Sequence, residues 1–306
     1  MREKEIFDNI EQLQRDYFSV RQSPAFRVGT KWVNFLAAVR HGSLWAFLQR
    51  EWIYRKNARF AVPHPPFNFD YGTYPNSSVK IAVYSCITGD YDCLAEPFFS
   101  IEGVDYIMFT DNPKLKSEKW ELRSIPDEIA RWNDNAMINR YCKMHPNVVG
   151  NGYDYALYID GNICIVSNIR NMINVIPKDF GFALHQHVTR DCIYDEVKAC
   201  KYAKKGRIEK LEKQVTRYCE EGFPPHYGLL EATVILTDLH NSIALDIQDK
   251  WWQEFINSES RRDQISLPYV LWKNGITPSD VNTLGCPIQQ NPKFRKFEHK
   301  RPQIIQ

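Results

Sequence analysis

The sequence of 306 residues lacks a hydrophobic run long enough to cross a membrane. The best candidate extends from Trp32 to Leu48, and Arg40 and His41 interrupt it, whereas a spanning helix needs roughly 18 uninterrupted apolar residues. The first residues also lack the basic-then-apolar order of a secretory signal peptide. We therefore expect a soluble, cytoplasmic protein, with any membrane contact made peripherally at the inner face.

The sequence also lacks closely paired cysteines. None of its eight cysteines forms a C-x-x-C pair, which argues against a structural zinc site. Cys86 and Cys164 lie inside apolar runs, where a reduced cysteine acts as a small buried hydrophobic residue. With 43% hydrophobic and 25% charged residues, the composition is that of a globular protein and excludes a disordered one.

Acidic residues are scarce in two flanking segments of the chain. Residues 21–60 hold eight basic residues and one acidic residue, and residues 291–306 hold five basic residues and one acidic residue. The first segment also contains three tryptophans, Trp32, Trp45 and Trp52. Basic residues and tryptophan on a helix suit an anionic membrane surface, which predicts membrane contact through residues 21–60 and 293–301. The alternative is a helical hairpin packed on the main domain with a solvated basic face.

The chain divides into four segments without an internal repeat. We predict a helical N-terminal extension at 1–60, a turn-rich linker at 61–78, the main domain at 79–290 and a basic tail at 291–306. No nucleic-acid motif is recognised in any of them, so no nucleic-acid partner is expected.

Within the main domain, short apolar runs alternate with helical patterns. The predicted strands are 80–87, 104–110, 155–159, 181–185 and 232–237. The predicted helices are 127–144, 168–175, 194–219, 240–257 and 262–273. This alternation predicts an α/β fold with a mainly parallel sheet flanked by helices. Such sheets bind ligands at the carboxyl ends of their strands.

The turn after the third predicted strand carries the most informative motif, in which Asp160, Gly161 and Asn162 separate two apolar runs. In an extended turn, residues i and i+2 point to the same side, so that Asp160 and Asn162 can present two oxygens to one cation. Mn²⁺ and Mg²⁺ prefer oxygen ligands, and the motif predicts a site for one of them. The alternative is an ordinary tight turn, for which these residues are also favourable.

This turn resembles the D-x-D turn of GT-A glycosyltransferases, which holds a divalent cation on a nucleotide-sugar diphosphate. Residues 79–275 also resemble a glycosyltransferase-like family first catalogued as a domain of unknown function, with plant members linked to mucilage and turgor phenotypes and many bacterial members. The segments that carry the resemblance are IAVYSCITGDYD at 81–92, YIMFTD at 106–111, NRYCKMHP at 139–146, LYIDGN at 157–162, HVTRDCIYDE at 187–196 and DQISLPYVLW at 263–272. The resemblance implies a GT-A-like, Rossmann-type fold and a nucleotide-sugar donor, with a UDP-sugar as first choice. It also implies a glycan or glycolipid acceptor, in surface polysaccharide or lipooligosaccharide synthesis.

The sequence departs from the family pattern at the second metal ligand. Asn162 stands where the family has aspartate, and its neutral carbonyl should hold a cation less tightly. Many GT-A enzymes take a further ligand from a late histidine, and His299 is the candidate for it. An inactive glycosyltransferase-like protein that binds sugar or scaffolds an assembly therefore stays open as an alternative, as does a metal-dependent phosphoesterase or nucleotidyltransferase.

Two further groups are candidates for binding the donor. The turn after the first predicted strand would cradle the nucleoside, because Gly89 allows close backbone approach and Tyr91 can stack on the base. The residues of this turn are Thr88, Gly89, Asp90 and Tyr91. Asp111 would bind the ribose or base, and Arg140 and Lys143 on one helix face would neutralise the diphosphate. The alternative for the turn at 88–91 is an ordinary strand-exit turn, and for Asp111 it is a cap before Pro113. The alternative for Arg140 and Lys143 is a solvated basic face of the helix.

A last group lies near the later strands and would line the acceptor pocket. The candidate catalytic residues are His187, Glu196, Glu231 and Asp263, and the polar residues near them are Arg190, Tyr194 and Gln264. An inverting transferase needs a base at the attacking hydroxyl, whereas a retaining enzyme needs none, so the sequence leaves the stereochemistry open. The alternatives are a loop capped into a helix and, for Asp263, a favourable charge at a helix N-terminus.

Overall fold

The computed structural model describes residues 2–64, 67–285 and 287–299 of the chain. Its helices are α1 (Arg2–Gln22), α2 (Pro24–Arg40), α3 (Leu44–Ala58), α4 (Asp127–Ala130), α5 (Asn135–Met144), α6 (Ile193–Ala203), α7 (Ile208–Glu220), α8 (Ser242–Ser258), α9 (Asp263–Lys273) and α10 (Pro278–Val281). Its strands are β1 (Ile81–Ile87), β2 (Val104–Thr110), β3 (Glu121–Ser124), β4 (Tyr155–Ile159), β5 (Ile163–Ile165), β6 (Phe182–Gln186), β7 (Leu230–Asp238) and β8 (Phe294–Lys296). A 3-10 helix at Arg170–Val175 stands where the sequence predicts a helix at 168–175.

Six strands form one sheet in the order β3-β2-β1-β4-β7-β6. β1 runs parallel to β2 and β4, and β2 runs parallel to β3. β7 is antiparallel to both of its neighbours. All residues of β1 are buried, as expected for a strand covered on both faces. The predicted α/β class, the mainly parallel sheet with flanking helices and the N-terminal helices are thus confirmed.

Alternate residues of the central strands face two separate hydrophobic layers. Tyr84 and Tyr158 pack edge to face at 5.4 Å, in a layer that also contains residues of α5, α8 and α9. Val83 and Leu157 belong to the other layer, together with Phe294 of β8. Because both faces are covered, the carboxyl-end edge of the sheet is where polar side chains can meet a ligand.

Helices α2 and α3 form a helical hairpin. α2 begins with Pro24 in its first turn, and Ser23 caps it by accepting from the Phe26 N–H at 3.3 Å. The two helices pack through Phe35 and Phe47, whose ring centroids are 5.7 Å apart. In the described part of the chain, no helix has both the length and the hydrophobicity needed to cross a membrane.

Two helices that the sequence predicts as continuous are broken in the structure. The predicted helix 127–144 is α4 and α5, separated by Asn133 with a positive φ of 49° and by Asp134, whose side chain caps α5. The predicted helix 194–219 is α6 and α7, and α6 ends at Lys204 with a φ of 51°. The hydrophobic period continues across both breaks, so that periodicity alone does not reveal them.

Part of the predicted basic tail is an internal strand. β8 pairs antiparallel with β5, and Phe294 lies opposite Ile165. Lys293 is buried and donates to the Glu11 Oε1 at 2.6 Å and to the Asn168 carbonyl at 2.7 Å. Lys293 and Phe294 therefore do not contribute to the predicted surface patch over 293–301, because Glu11 of α1 balances the lysine charge inside the protein.

The ion pair between Glu11 and Lys293 gives a stability prediction. Glu11→Ala leaves a buried lysine without its counter-charge, and burial already lowers the pKa of Lys293. We expect this variant to lose about 3 kcal/mol in free energy of unfolding, measured by urea denaturation. The control Gln12→Ala, at an exposed position of the same helix, should change it by less than about 0.5 kcal/mol. Equal stability of both variants would contradict the assigned role of the pair.

Candidate active site

The turn after β4 lies at the edge of the sheet where the parallel strands end. The Asp160 Oδ1 accepts from the Tyr158 hydroxyl at 3.0 Å and lies 3.3 Å from the Lys143 Nζ. Asn162 is buried, and its Nδ2 donates to the Phe297 carbonyl at 2.8 Å. Its Oδ1 has no hydrogen-bond partner among the described residues. A buried polar atom without a partner costs about 1–3 kcal/mol, which makes this oxygen a candidate ligand atom.

The end of the described chain brings His299 to the same turn. The His299 Nε2 lies 3.3 Å from the Asn162 Nδ2, and its Nδ1 lies 2.9 Å from the Asp92 Oδ1. A Cβ at Gly161 would lie 3.3 Å from the Asp92 Oδ2, so Asp92 borders the turn. Asp92 is a site residue that sequence reasoning missed, although it ends the motif at 81–92.

The side chains around this turn fit a divalent cation. Asp160 offers a carboxylate, and Asn162 offers the buried oxygen that has no partner within the described chain. When the His299 Nδ1 donates to Asp92, its Nε2 accepts from the Asn162 Nδ2 at 3.3 Å, and a bound cation would replace this hydrogen bond at Nε2. Oxygen ligands with one imidazole suit Mn²⁺ or Mg²⁺. The residues that would hold the cation are Asp160, Asn162 and His299.

Two cations of α5 lie beside the turn, where Asp263 from the start of α9 holds them. The Lys143 Nζ donates to the Asp263 Oδ2 at 2.9 Å, and the Arg140 Nε lies 3.1 Å from the same oxygen. Burial alone raises the pKa of Asp263, but Arg140 and Lys143 outweigh it and hold this pKa well below its ordinary value. A carboxylate in that state is a weak base, and Asp263 holds both cations at the start of α9.

The loop after β1 contacts the end of β2 through hydrogen bonds. The Gly89 N–H donates to the Asp111 Oδ2 at 3.0 Å, and the Asn112 Nδ2 donates to the Asp90 Oδ1 at 2.8 Å. Gly89 has a positive φ of 61°, and a Cβ there would lie 2.1 Å from the Asn135 Nδ2. Only glycine therefore suits this position, and the predicted nucleoside-binding residues share one loop cluster.

The same loop presents one aromatic ring at the surface. Thr88 is buried and donates to the Asn135 carbonyl at 3.2 Å. Tyr91 is exposed, and its ring centroid lies 5.3 Å from that of His299. The structure thus brings the predicted donor-binding loop and the predicted metal-binding turn together.

The residues predicted on the acceptor side form a charged network at the start of α6. The buried Glu196 accepts from the Arg190 Nε at 2.5 Å and from the Arg262 Nη2 at 3.2 Å. Burial raises the pKa of Glu196, but Arg190, His187 and Arg262 together outweigh burial, and the pKa is lowered. Burial lowers the pKa of His187 to about 4, so that His187 is neutral near pH 7. The Tyr194 hydroxyl donates to a backbone carbonyl at 2.7 Å, which fixes its direction.

Glu231 reaches the site edge because β7 runs antiparallel to β4 and β6. It lies near the start of β7, opposite His185 of β6. Its Oε1 accepts from the Lys296 Nζ at 3.0 Å, and its buried Oε2 has no hydrogen-bond partner in residues 2–64, 67–285 and 287–299. Gln264 fastens α9 to this strand by donating to the Leu230 carbonyl at 2.9 Å. Glu231 therefore has one oxygen in an ion pair and one buried oxygen without a partner among the described residues.

Residues 70–284 match the protein family described as TOD1/MUCI70, glycosyltransferase-like domain. This range covers well over half of the chain and includes Asp160, Asn162 and Glu231, whereas His299 lies beyond it. No curated protein matches the chain. Among solved structures, the apo crystal structure of mouse xyloside xylosyltransferase 1 is similar, with a TM-score of 0.36 and 8% identity over 64% of this chain and 82% of that chain. The family resemblance of the sequence motifs is confirmed, and the chain belongs to the TOD1/MUCI70 glycosyltransferase-like family.

Proposed function

We propose that the protein is a metal-dependent glycosyltransferase that moves a sugar from a nucleotide-sugar donor, first of all a UDP-sugar, to a glycan or glycolipid acceptor. Its family supports glycosyl transfer as the reaction class. The observation that carries the metal dependence is the buried Asn162 Oδ1, which has no partner among the described residues and shares a turn with Asp160. A Mn²⁺ or Mg²⁺ ion bound there supplies Lewis-acid stabilisation of the leaving diphosphate.

The charges around the turn support a diphosphate ligand. Arg140 and Lys143 face Asp160 and Asp263, so that two positive charges balance two negative ones. A divalent cation adds two positive charges, which complement a diphosphate. Lys143 is buried and already oriented, so its electrostatic contribution requires little reorganisation during the reaction.

The loop after β1 supports a nucleoside next to this diphosphate. Tyr91 offers an exposed aromatic face on which a base can stack. Asp111 holds the loop through the Gly89 N–H and has further lone pairs for a ribose hydroxyl. We therefore assign donor binding to Thr88, Gly89, Asp90, Tyr91 and Asp111.

The base for an inverting reaction is best assigned to Glu231. Asp263 and Glu196 are paired with cations that lower their pKa values, and His187 has a pKa of about 4. Each is a weak proton acceptor near pH 7. Glu231 offers Oε2, which lacks a hydrogen-bond partner in the described chain, and Lys296 orients the carboxylate through Oε1. We place His187 and Glu196 in the wall of the acceptor pocket, which we call the acceptor wall.

Nucleotide binding tests the donor site. We expect UDP to bind at micromolar strength, about −8 kcal/mol, when Mn²⁺ is present, and at least about tenfold more weakly without it. Asp160→Ala should abolish the effect of the metal, because the turn then loses its charged ligand. Calorimetric titration measures both results. Asp249→Ala, which removes an exposed carboxylate on α8, is the control and should bind as the native chain does. Metal-independent binding by the native protein would contradict the proposal.

Turnover tests the base. Glu231→Gln should lower kcat by about 10²–10⁴-fold and leave the KM for the donor almost unchanged, because Glu231 faces the acceptor. A panel of UDP-sugars with Mn²⁺ and glycan acceptors supplies the assay. Lys296→Met removes the ion-pair partner but keeps the carboxylate, so its loss should be much smaller. Equal losses of kcat in both variants would mean that Glu231 acts only through its ion pair with Lys296, and would contradict its assignment as the base.

The helical hairpin of α2 and α3 supports a membrane-bound acceptor. Trp32 is 61% exposed and Trp45 is 79% exposed. Trp32 shares a face of α2 with the exposed Leu36, and Trp45 shares a face of α3 with the exposed Leu48. An exposed apolar surface among basic residues suits the interface of an anionic bilayer.

The charge of the hairpin favours an anionic lipid surface over other partners. Residues 21–60 hold eight basic residues against Glu51, and Glu51 is itself paired with Lys31 at 2.5 Å. Each basic residue near an anionic leaflet contributes about 1 kcal/mol. We therefore propose that the protein works at the cytoplasmic face of a membrane, where its acceptor is a glycolipid.

Vesicle binding tests this assignment. The full chain should sediment with vesicles that contain anionic lipid and release with salt, since screening weakens the attraction. Trp32→Ser combined with Trp45→Ser should weaken binding roughly a hundredfold, at about 1.4 kcal/mol or more for each buried ring. Phe98→Ser removes an exposed ring outside the hairpin and should have no effect. Equal binding to neutral vesicles, or dimerisation through the hairpin without vesicle binding, would contradict the proposal.

A further inference from the structure

A second group of metal-binding side chains lies outside the turn after β4. Cys192 is the N-cap residue of α6, and Asp195 follows in its first turn. His226 comes from the loop before β7. One ligand atom from each of the three lies within 4.8 Å of the others. Two segments that are far apart in sequence thus present a thiol, a carboxylate and an imidazole to one point.

Neighbouring residues hold this group in a geometry suited to metal binding. The His226 Nδ1 lies 2.8 Å from the Asp191 Oδ1, and a carboxylate that accepts from Nδ1 leaves the lone pair on Nε2. Asp191 also accepts the Gly228 N–H on its backbone carbonyl at 2.8 Å, which fixes the loop of His226. Lys198 donates to the Asp195 Oδ1 at 2.9 Å, and the other carboxylate oxygen can serve as a ligand.

We propose that Cys192, Asp195 and His226 bind a zinc ion, with water as the fourth ligand. Thiolate and imidazole ligands select zinc, whereas Mn²⁺ and Mg²⁺ prefer oxygen. Zinc ligands in a tetrahedron lie about 3.3–3.8 Å apart at bonds of about 2.0–2.3 Å, so a small rotation of the exposed His226 completes the site. The Cys192 thiol gives its proton to solvent on binding.

This zinc would join two segments on the proposed acceptor side, although the absence of a C-x-x-C pair gave no sign of such a site in the sequence. α6 carries Glu196, and the loop of His226 leads into β7, which carries Glu231. A zinc ion that joins the two segments would fix the positions of Glu196 and Glu231 relative to each other. The site does not depend on the proposed transferase activity, because none of its ligands belongs to the turn after β4.

Cobalt, a spectroscopic substitute for zinc, tests the site in the full chain. The chelator-treated protein should take up Co²⁺ with a thiolate-to-cobalt charge-transfer band in the near ultraviolet. Cys192→Ser should abolish this band, and serine is favourable at an N-cap. His226→Asn, which suits the positive φ of 58° at this position, should weaken uptake. Asp191→Asn should weaken it about 10–100-fold through the loss of ring orientation.

Three controls separate this site from other metal binding. His240→Ala removes a matched exposed histidine, which lies 3.3 Å from Asp154, and Cys93→Ser removes an exposed thiol, whereas the Cys192 thiol is buried. Asp160→Ala removes the charged ligand of the proposed catalytic cation. All three variants should keep the thiolate band. We also expect zinc to raise the Tm of the native chain and to raise the Tm of these variants by a similar amount. Absence of the band from the native protein, or its persistence in Cys192→Ser, would overturn the zinc site and leave the transferase proposal untouched.

Discussion

The antiparallel pairing of β8 with β5 is the interaction on which the candidate site depends. β5 begins directly after the turn of Asp160 and Asn162, so a strand paired with it leads to the same edge of the sheet. Three side chains spaced three residues apart then contact three other elements, as Lys293 pairs with Glu11, Lys296 with Glu231 and His299 with Asp92. The segment 293–299, which includes β8, therefore contacts α1, β7 and the loop after β1, and its His299 reaches the turn of Asp160 and Asn162.

The carboxylates of the site differ because their neighbours differ. Asp263 faces two cations and Glu196 faces two arginines, and these charges lower both pKa values despite burial. Glu231 has one lysine and one oxygen without a partner in the described chain. Residues of one chemical type are thereby divided into carboxylates that hold cations and one that we propose as the base.

The parts of the fold that sequence predicts are those set by local pattern. The sequence predicts the buried strands β1 and β4 and the polar turn after β4. It does so because strand burial and turn chemistry depend on residues that are close together in the sequence. His299 and Asp92 are 207 residues apart, and nothing local marks them as partners. The burial of Lys293 likewise requires Glu11, and the breaks at Asn133 and Lys204 depend on single residues with positive φ.

The two metal sites proposed for the chain are compatible because their ligands differ in softness. The turn after β4 offers oxygens and one imidazole, whereas the start of α6 offers a thiol beside a carboxylate and an imidazole. Zinc favours a thiolate ligand, whereas Mn²⁺ favours oxygen ligands. If both proposals hold, zinc would fix the acceptor side before substrate arrives, and the donor side would be completed when the cation and the diphosphate bind together. Such an order would place the metal requirement on donor binding and would leave the proposed acceptor pocket preformed.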